Sequence, residues 1–406
     1  MTLLAQNLKP TAIPADRFGS MQVMRRLYWL IFGALTAAFL AGTCDAQHYT
    51  FKEYIEGLGN LNINCIVQDR AGFLWLGSEN GLFRYDGSNF TEYGRSEGLP
   101  GTFIRALQID AAGRLWVGTT DGLAVGSRDG HFREVKFRST RLAIPYNSTL
   151  SASPDGRVFA ITQLGVVVFS SKDEGQTWDA DTVLSSRQAA QFGAADVKSV
   201  SAGADGSVLF GCGNGVCQLS GAYIAHWGID DGLPKDSWVS LLRKKNGEIW
   251  ARSKKHLAVL SSERKHWEVK DPSEVQSEET YLPLAEDRYG RVLAGFGPSV
   301  AIYGTGGWQL VSSANGLGEG SVGAIFVDRD GLVWLGTLGH GLRKWIGYGE
   351  WEHWTKDQGL PSNEIWSMAR DSSGGLWVGH RNGISLLKAG RHKLTNWPLP
   401  ESARGR

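Results

Sequence analysis

The sequence predicts an all-β fold of short four-stranded units, on three observations. Gly accounts for 53 of 406 residues and Trp for 16, against a norm of ~7% Gly. A motif of the form Asp-x-x-Gly-x-Leu-Trp-x-Gly recurs along the chain. Between its copies run alternating apolar segments, broken by Asn-Gly and Asp-Gly pairs that serve as tight turns.

The clearest copies are Asp69-Arg-Ala-Gly72-Phe-Leu-Trp75-Leu-Gly77, Asp110-Ala-Ala-Gly113-Arg-Leu-Trp116-Val-Gly118, Asp328-Arg-Asp-Gly331-Leu-Val-Trp334-Leu-Gly336 and Asp371-Ser-Ser-Gly374-Gly-Leu-Trp377-Val-Gly379. Degenerate copies centre on Phe159, Leu209, Trp250 and Leu293. The eight anchors are spaced by 41, 43, 50, 41, 43, 41 and 43 residues. Each unit reads as an alternating strand, an Asp-x-x-Gly turn, the Leu-Trp-x-Gly strand and a type I′ hairpin at Asn80-Gly81, Asp121-Gly122, Asn214-Gly215 or Asn382-Gly383. A third strand and an aromatic fourth strand (90–93, 351–354) complete it. Gly-Leu-Pro then leads onward at Gly98, Gly232 and Gly359.

Four strands in about 42 residues, repeated, is the pattern of a β-propeller. Eight repeats give an eight-bladed ring, or a seven-bladed ring with an extra repeat. Segment 48–54 reads as a fourth strand with no blade before it, expected to pair with the last blade and close the ring, removing exposed edges. The second-strand Trp is expected between adjacent blades, each burial contributing roughly 1.5–3 kcal/mol.

Ahead of the repeats, Arg25 and Arg26 precede an apolar run over 27–41 that exits through Cys44-Asp45-Ala46. This is the order of a secretory signal peptide, and the run is shorter than the ~20 residues of a membrane span. The layout is therefore a signal peptide over 1–46, a propeller over 47–397 and a polar tail over 398–406. The long stretch before Arg25 points to a start at Met21 or Met24. The mature chain is expected in the periplasm or outside the cell. Lys+Arg and Asp+Glu number 42 and 41, so no global field recruits nucleic acid. Four Cys are too few for a disulfide scaffold.

The repeats resemble the two-component regulator propeller family, with its Asp-x-x-Gly-x-Leu-Trp-x-Gly-Thr-x-x-Gly-Leu pattern, over about 350 residues. The resemblance implies the extracytoplasmic sensor region of a bacterial signalling protein. Such proteins usually carry two seven-bladed propellers, an immunoglobulin-like module, a membrane helix and a cytoplasmic kinase or other output. It implies as partners an extracellular glycan or peptide and a membrane signalling protein or C-terminal kinase part. That part does not follow the eighth repeat here, which leaves a fragment of a longer sensor or a stand-alone exported propeller.

Several motifs invite a chemical reading. Ser171-Lys-Asp173-Glu-Gly175-Gln-Thr177-Trp178 matches an Asp-box, in which Asp and Thr satisfy turn amides and Trp docks into the blade. The recurring Asp69, Asp110, Asp287, Asp328 and Asp371 stand one blade apart, too scattered for the six or more oxygens of calcium; they read as turn caps. His340 and His380 hold equivalent positions in neighbouring repeats but lack further metal ligands. No cofactor motif, catalytic residue or metal site is read from the sequence. The leading expectation is a non-catalytic ligand-sensing or interaction module. A propeller enzyme acting on a glycan or lactone, and an envelope assembly scaffold, are the alternatives.

The loops joining second to third strand, and fourth strand to the next blade, should share one face. They place Glu79, Asp121, Lys255, His256, His340, His380 and Arg381 on hairpins. Arg105, Lys235, Asp236, Trp238, Glu364 and Trp366 fall near the channel mouth. Trp238 and Trp366 follow Gly-Leu-Pro at similar offsets, as stacking platforms for a sugar or as inter-blade packing. Finally, Cys212 and Cys217 flank the Asn214-Gly215 turn, which would place them opposite each other and within bridging distance in an oxidising compartment.

Overall fold

The structure is a computed structural model. It describes residues 49–399 apart from 128–129, 148, 172, 174–176, 186–196, 222, 264–265, 273–280, 350–355, 357–358 and 389–393. The signal segment lies outside the described residues, as does the strand expected over 351–354.

Eight antiparallel sheets follow one another along the chain, seven of four strands and one of five. Within the four that carry the complete motif, the first, second, seventh and eighth, the local reason is the same. The Asp of the Asp-x-x-Gly turn accepts a backbone amide on Oδ1, as from Phe73 to Asp69 at 3.0 Å and from Leu332 to Asp328 at 2.8 Å. Its Oδ2 accepts the indole N–H of the second-strand Trp: Trp75 to Asp69 at 2.8 Å, Trp116 to Asp110 at 3.0 Å, Trp334 to Asp328 at 2.8 Å and Trp377 to Asp371 at 2.9 Å. One carboxylate thus ties the turn to the strand and satisfies the only polar atom of a half-buried or buried indole. In the sixth sheet Leu293 replaces Trp, and the Tyr348 hydroxyl takes the Asp287 Oδ2 instead.

Seven sheets close a ring and the eighth stands outside it. The blades span 63–93, 104–141, 150–185, 197–227, 240–269, 284–311 and 322–346. Buried apolar residues form seven clusters, one at each junction between successive blades. The closing cluster joins Ile63, Leu76 and Phe83 of the first blade to Ala324, Trp334 and Leu342 of the seventh. Close approach across each junction explains the Gly of Leu-Trp-x-Gly. A Cβ at Gly77 would stand 2.6 Å from Ile104, and one at Gly336 would stand 2.6 Å from Ile63.

The N-terminal strand (Thr50–Tyr54) does supply a missing fourth strand, but to the seventh blade. It pairs antiparallel with Gly341–Ile346, from Thr50 opposite Ile346 to Tyr54 opposite Leu342. Phe51 packs on Trp345 with ring centres 4.8 Å apart, and Glu53 pairs with the buried Arg343 at 2.6 Å. Expected closure through the last repeat is therefore corrected to closure through the seventh. The eighth sheet (365–398) joins none of the seven clusters, and its first strand, Ile365–Arg370, is exposed along its whole length. Ile63 and Ile104, which hold the place of Ile365 in the ring, are fully buried.

The hairpins also differ from expectation. In the first blade Ser78 pairs with Gly81, so Glu79-Asn80 is the loop and Gly81 (φ 125°) opens the third strand. Apart from Arg138 and Ser139, every described residue with positive φ is Gly. Type I′ geometry needs positive φ at both loop positions, and neither Glu79 nor Asn80 has it.

Candidate functional site

First strands line the channel, so their opening residues and the connections before them gather at the mouth on the hairpin face. There a cavity of about 220 Å³ is lined by Arg105, Tyr146, Asn147, Lys198, Val239, Ser240 and Leu282. Arg105 and Lys198 are each the second residue of a first strand, in blades two and four. Ser240 opens the first strand of blade five. Tyr146, Asn147 and Leu282 come from the connections into blades three and six.

The Arg105 guanidinium lies 4.3 Å from the centre of the Phe103 ring, and its buried Nε has no hydrogen-bond partner. Lys198 Nζ lies 5.8 Å from the centre of the Tyr146 ring. The buried Oδ1 of Asn147 is also without a partner. Burial pushes the neighbouring Tyr281 phenol up and the Glu79 charge adds to this, while the Asn147 amide and the Arg105 charge oppose it. Glu79 itself accepts from Asn62 Nδ2 at 2.7 Å.

A third cation stands behind the cavity wall. Arg252 occupies the place of the motif Gly in blade five, is 1% exposed, and lies opposite Ser240 in the sheet. Its guanidinium stacks 4.0 Å from the Phe296 ring centre and donates weakly, at 3.4 Å, to the carbonyl of Pro283, beside Leu282. Nε and Nη2 have no partner. Burial pushes this group down to about 9, so it remains a cation at neutral pH.

Of the residues picked out from sequence, Arg105 lines the cavity and Glu79 neighbours it through Tyr281. Others are held elsewhere on the hairpin face: Asp121 by Arg95 at 2.7 Å and His256 by Asp271 at 2.8 Å. Lys235 and Lys255 are exposed, Asp236 and His340 half-buried. Glu364 and Arg381 pair with each other at 3.0 Å on the eighth sheet, outside the ring.

The reading of Trp238 and Trp366 as paired stacking platforms is corrected. Trp238 is 0% exposed and packs with Leu209, Leu233 and Trp267 between blades four and five. Trp366 is 70% exposed but sits on the eighth sheet. His380 is buried there against Ser385 at 2.9 Å, whereas His340 belongs to the ring. Nothing in the sequence alone singles out Tyr146, Asn147, Lys198, Val239, Ser240 or Leu282. What they share is position at or just before the start of a first strand.

The remaining motifs are structural. Asp173 accepts from the Thr177 amide at 2.8 Å and from the Ser171 hydroxyl at 2.8 Å, while Trp178 packs 4.5 Å from Trp116. Cys212 and Cys217 form a disulfide with Cα atoms 5.8 Å apart. They are diagonal rather than opposite, since Cys212 faces Gly215 and Cys217 faces Phe210. Among the described residues one trio has metal-ligand geometry, these two Cys with His226, and the disulfide leaves it no thiolate.

These features define a seven-bladed β-propeller with a small polar cavity at one mouth of its channel. Residues 57–80, 98–121, 316–339 and 359–382 match the two-component regulator propeller family, and the chain carries that family's repeats. A stretch of 67 residues is 36% identical to histidine kinase P4 of Formosa agariphila, covering 16% of this chain and 5% of the kinase. The fold is similar to the extracellular domain of a one component system from B. thetaiotaomicron, at 21% identity and TM-score 0.58 over 87% of this chain. This chain spans about half, 48%, of that domain. It is also similar to virginiamycin B lyase of Staphylococcus aureus, at 12% identity and TM-score 0.59, over 73% of this chain and 99% of the lyase. Identities this low speak to the fold alone. Among the described residues no helix is long and apolar enough to cross a membrane.

Proposed function

We propose that this chain is an exported propeller that binds an extracellular glycan or peptide at the channel mouth and does not transform it. The signal-peptide pattern over 1–46, the family's repeats and the similarity to extracellular domains of signalling systems support this reading. The observation that carries it is the cavity, whose described lining comes from the first strands of blades two, four and five and from the connections into blades three, five and six. A ligand there would bridge blades and change how rigidly they pack, a means of signalling to a membrane partner.

The test is titration calorimetry of the mature chain against panels of glycans and short peptides. Val239→Trp fills the cavity as the control. Binding that this variant abolishes, with ligand recovered unchanged by mass spectrometry, is the expected result. Recovery of a cleaved or rearranged ligand would make the propeller an enzyme.

A further inference from the structure

We infer that the channel-mouth cavity selects a small organic carboxylate, held between Arg105 and Lys198. The inference rests on the cavity being the binding site and adds the chemistry of its ligand.

Three independent features converge on an anion. Two cationic side chains from separate blades line one cavity, and among the described residues no carboxylate lines it with them. Among the described residues neither is engaged in an ion pair, and both are steadied on aromatic rings instead, Arg105 on Phe103 and Lys198 on Tyr146. Arg105 Nε is buried with no acceptor. A buried donor without a partner costs stability, and an incoming carboxylate would supply the missing acceptor. Third, Arg252 adds an uncompensated buried charge just behind Ser240. It stands where five other blades carry Gly77, Gly118, Gly211, Gly295 and Gly336.

Shape narrows the class. At about 220 Å³ the cavity lies below the ~300–1,000 Å³ of sites for drug-sized ligands, which suits a body the size of one sugar ring. Tyr146, Val239 and Leu282 offer that body an apolar flank, while Asn147 Oδ1 is free to accept from a hydroxyl. Glu79, close enough to Tyr281 to raise its phenol, works against an anion.

The experiment compares glucuronate with glucose, which differ in the carboxylate, and adds succinate and inorganic phosphate, by calorimetry on the mature chain. Glucuronate should bind at least about ten-fold more tightly than glucose, with affinity falling as salt rises. Lys198→Gln and Arg105→Gln should each weaken it about ten-fold or more at unchanged melting temperature. Lys198→Arg should retain most of the affinity, and Glu79→Gln should increase it. Succinate binding alongside glucuronate would make the carboxylate itself the determinant; glucuronate alone would assign a sugar acid.

Equal binding of glucose and glucuronate, indifference to Lys198→Gln, or phosphate binding as tightly as either carboxylate would overturn the inference. So would no binding of glucuronate or succinate up to about 10 mM, a Kd above which less than ~3 kcal/mol of binding free energy remains. In those cases a neutral ligand lost on Val239→Trp would leave the cavity standing as the binding site.

Discussion

The hydroxyl of Tyr348 donates to Oδ2 of Asp287 at 2.6 Å, the acceptor that a tryptophan indole occupies in the first, second and seventh blades. Asp287 also accepts from Arg291 Nε at 2.7 Å, and its side chain is fully buried. Burial pushes the Tyr348 phenol well above its ordinary range, so it remains a donor throughout the physiological range. The connection after the seventh blade thereby repairs a degenerate turn in the sixth.

Tyr348→Phe removes that donor and leaves the ring's shape unchanged. The cost should be about 1–3 kcal/mol, the range for a buried acceptor losing a partner. Urea unfolding of the variant checks this; an unchanged midpoint would mean that Arg291 and the turn amides already satisfy Asp287.

Trp238 and Trp366 should respond in opposite ways to truncation. Trp238→Ala empties a fully buried site between two blades and should cost about 3–5 kcal/mol. Trp366→Ala, at 70% exposure, should stay within about 0.5 kcal/mol. Thermal melts of the two variants decide it, and equal effects would contradict the assignment of one residue to the ring and the other to the outlying sheet.

Closure through the seventh blade makes a paired prediction about the chain's ends. Removing 49–54 strips the outer strand from Gly341–Ile346, bares an edge and leaves the buried Arg343 without Glu53. That variant should melt far lower and tend to aggregate. A chain ending at Gly349 loses the eighth sheet but none of the seven inter-blade clusters, and its main unfolding transition should stay put. A large drop for the second variant would place the eighth sheet in the ring.

Cysteine chemistry gives the last prediction. Burial pushes the Cys65 thiol up to about 12, so it should resist alkylation in the native protein, since the thiolate is the reactive form. Denatured without reductant, a chain expressed from Gln47 should show one thiol. Three would mean that Cys212 and Cys217 are not joined.

By itself the sequence determined the blade. Asp69 and Trp75, six residues apart, meet across a single turn, and alternation with period two sets which side chains face a neighbouring sheet. Such contacts are local, and the strands, turns and inter-blade tryptophans are accordingly legible in the repeat. The number of blades in the ring is not local. It depends on Ile63 seating against Gly336 and Glu53 reaching Arg343, contacts set by the cumulative rotation of seven packed sheets. The same holds for the candidate site. Arg105, Tyr146, Lys198 and Ser240 are unremarked within their own repeats, and only ring closure turns their first strands toward one channel. Trp238 and Trp366 follow the same tripeptide, yet one is sealed between blades and the other faces solvent, because burial depends on whether a neighbouring sheet is there to cover it.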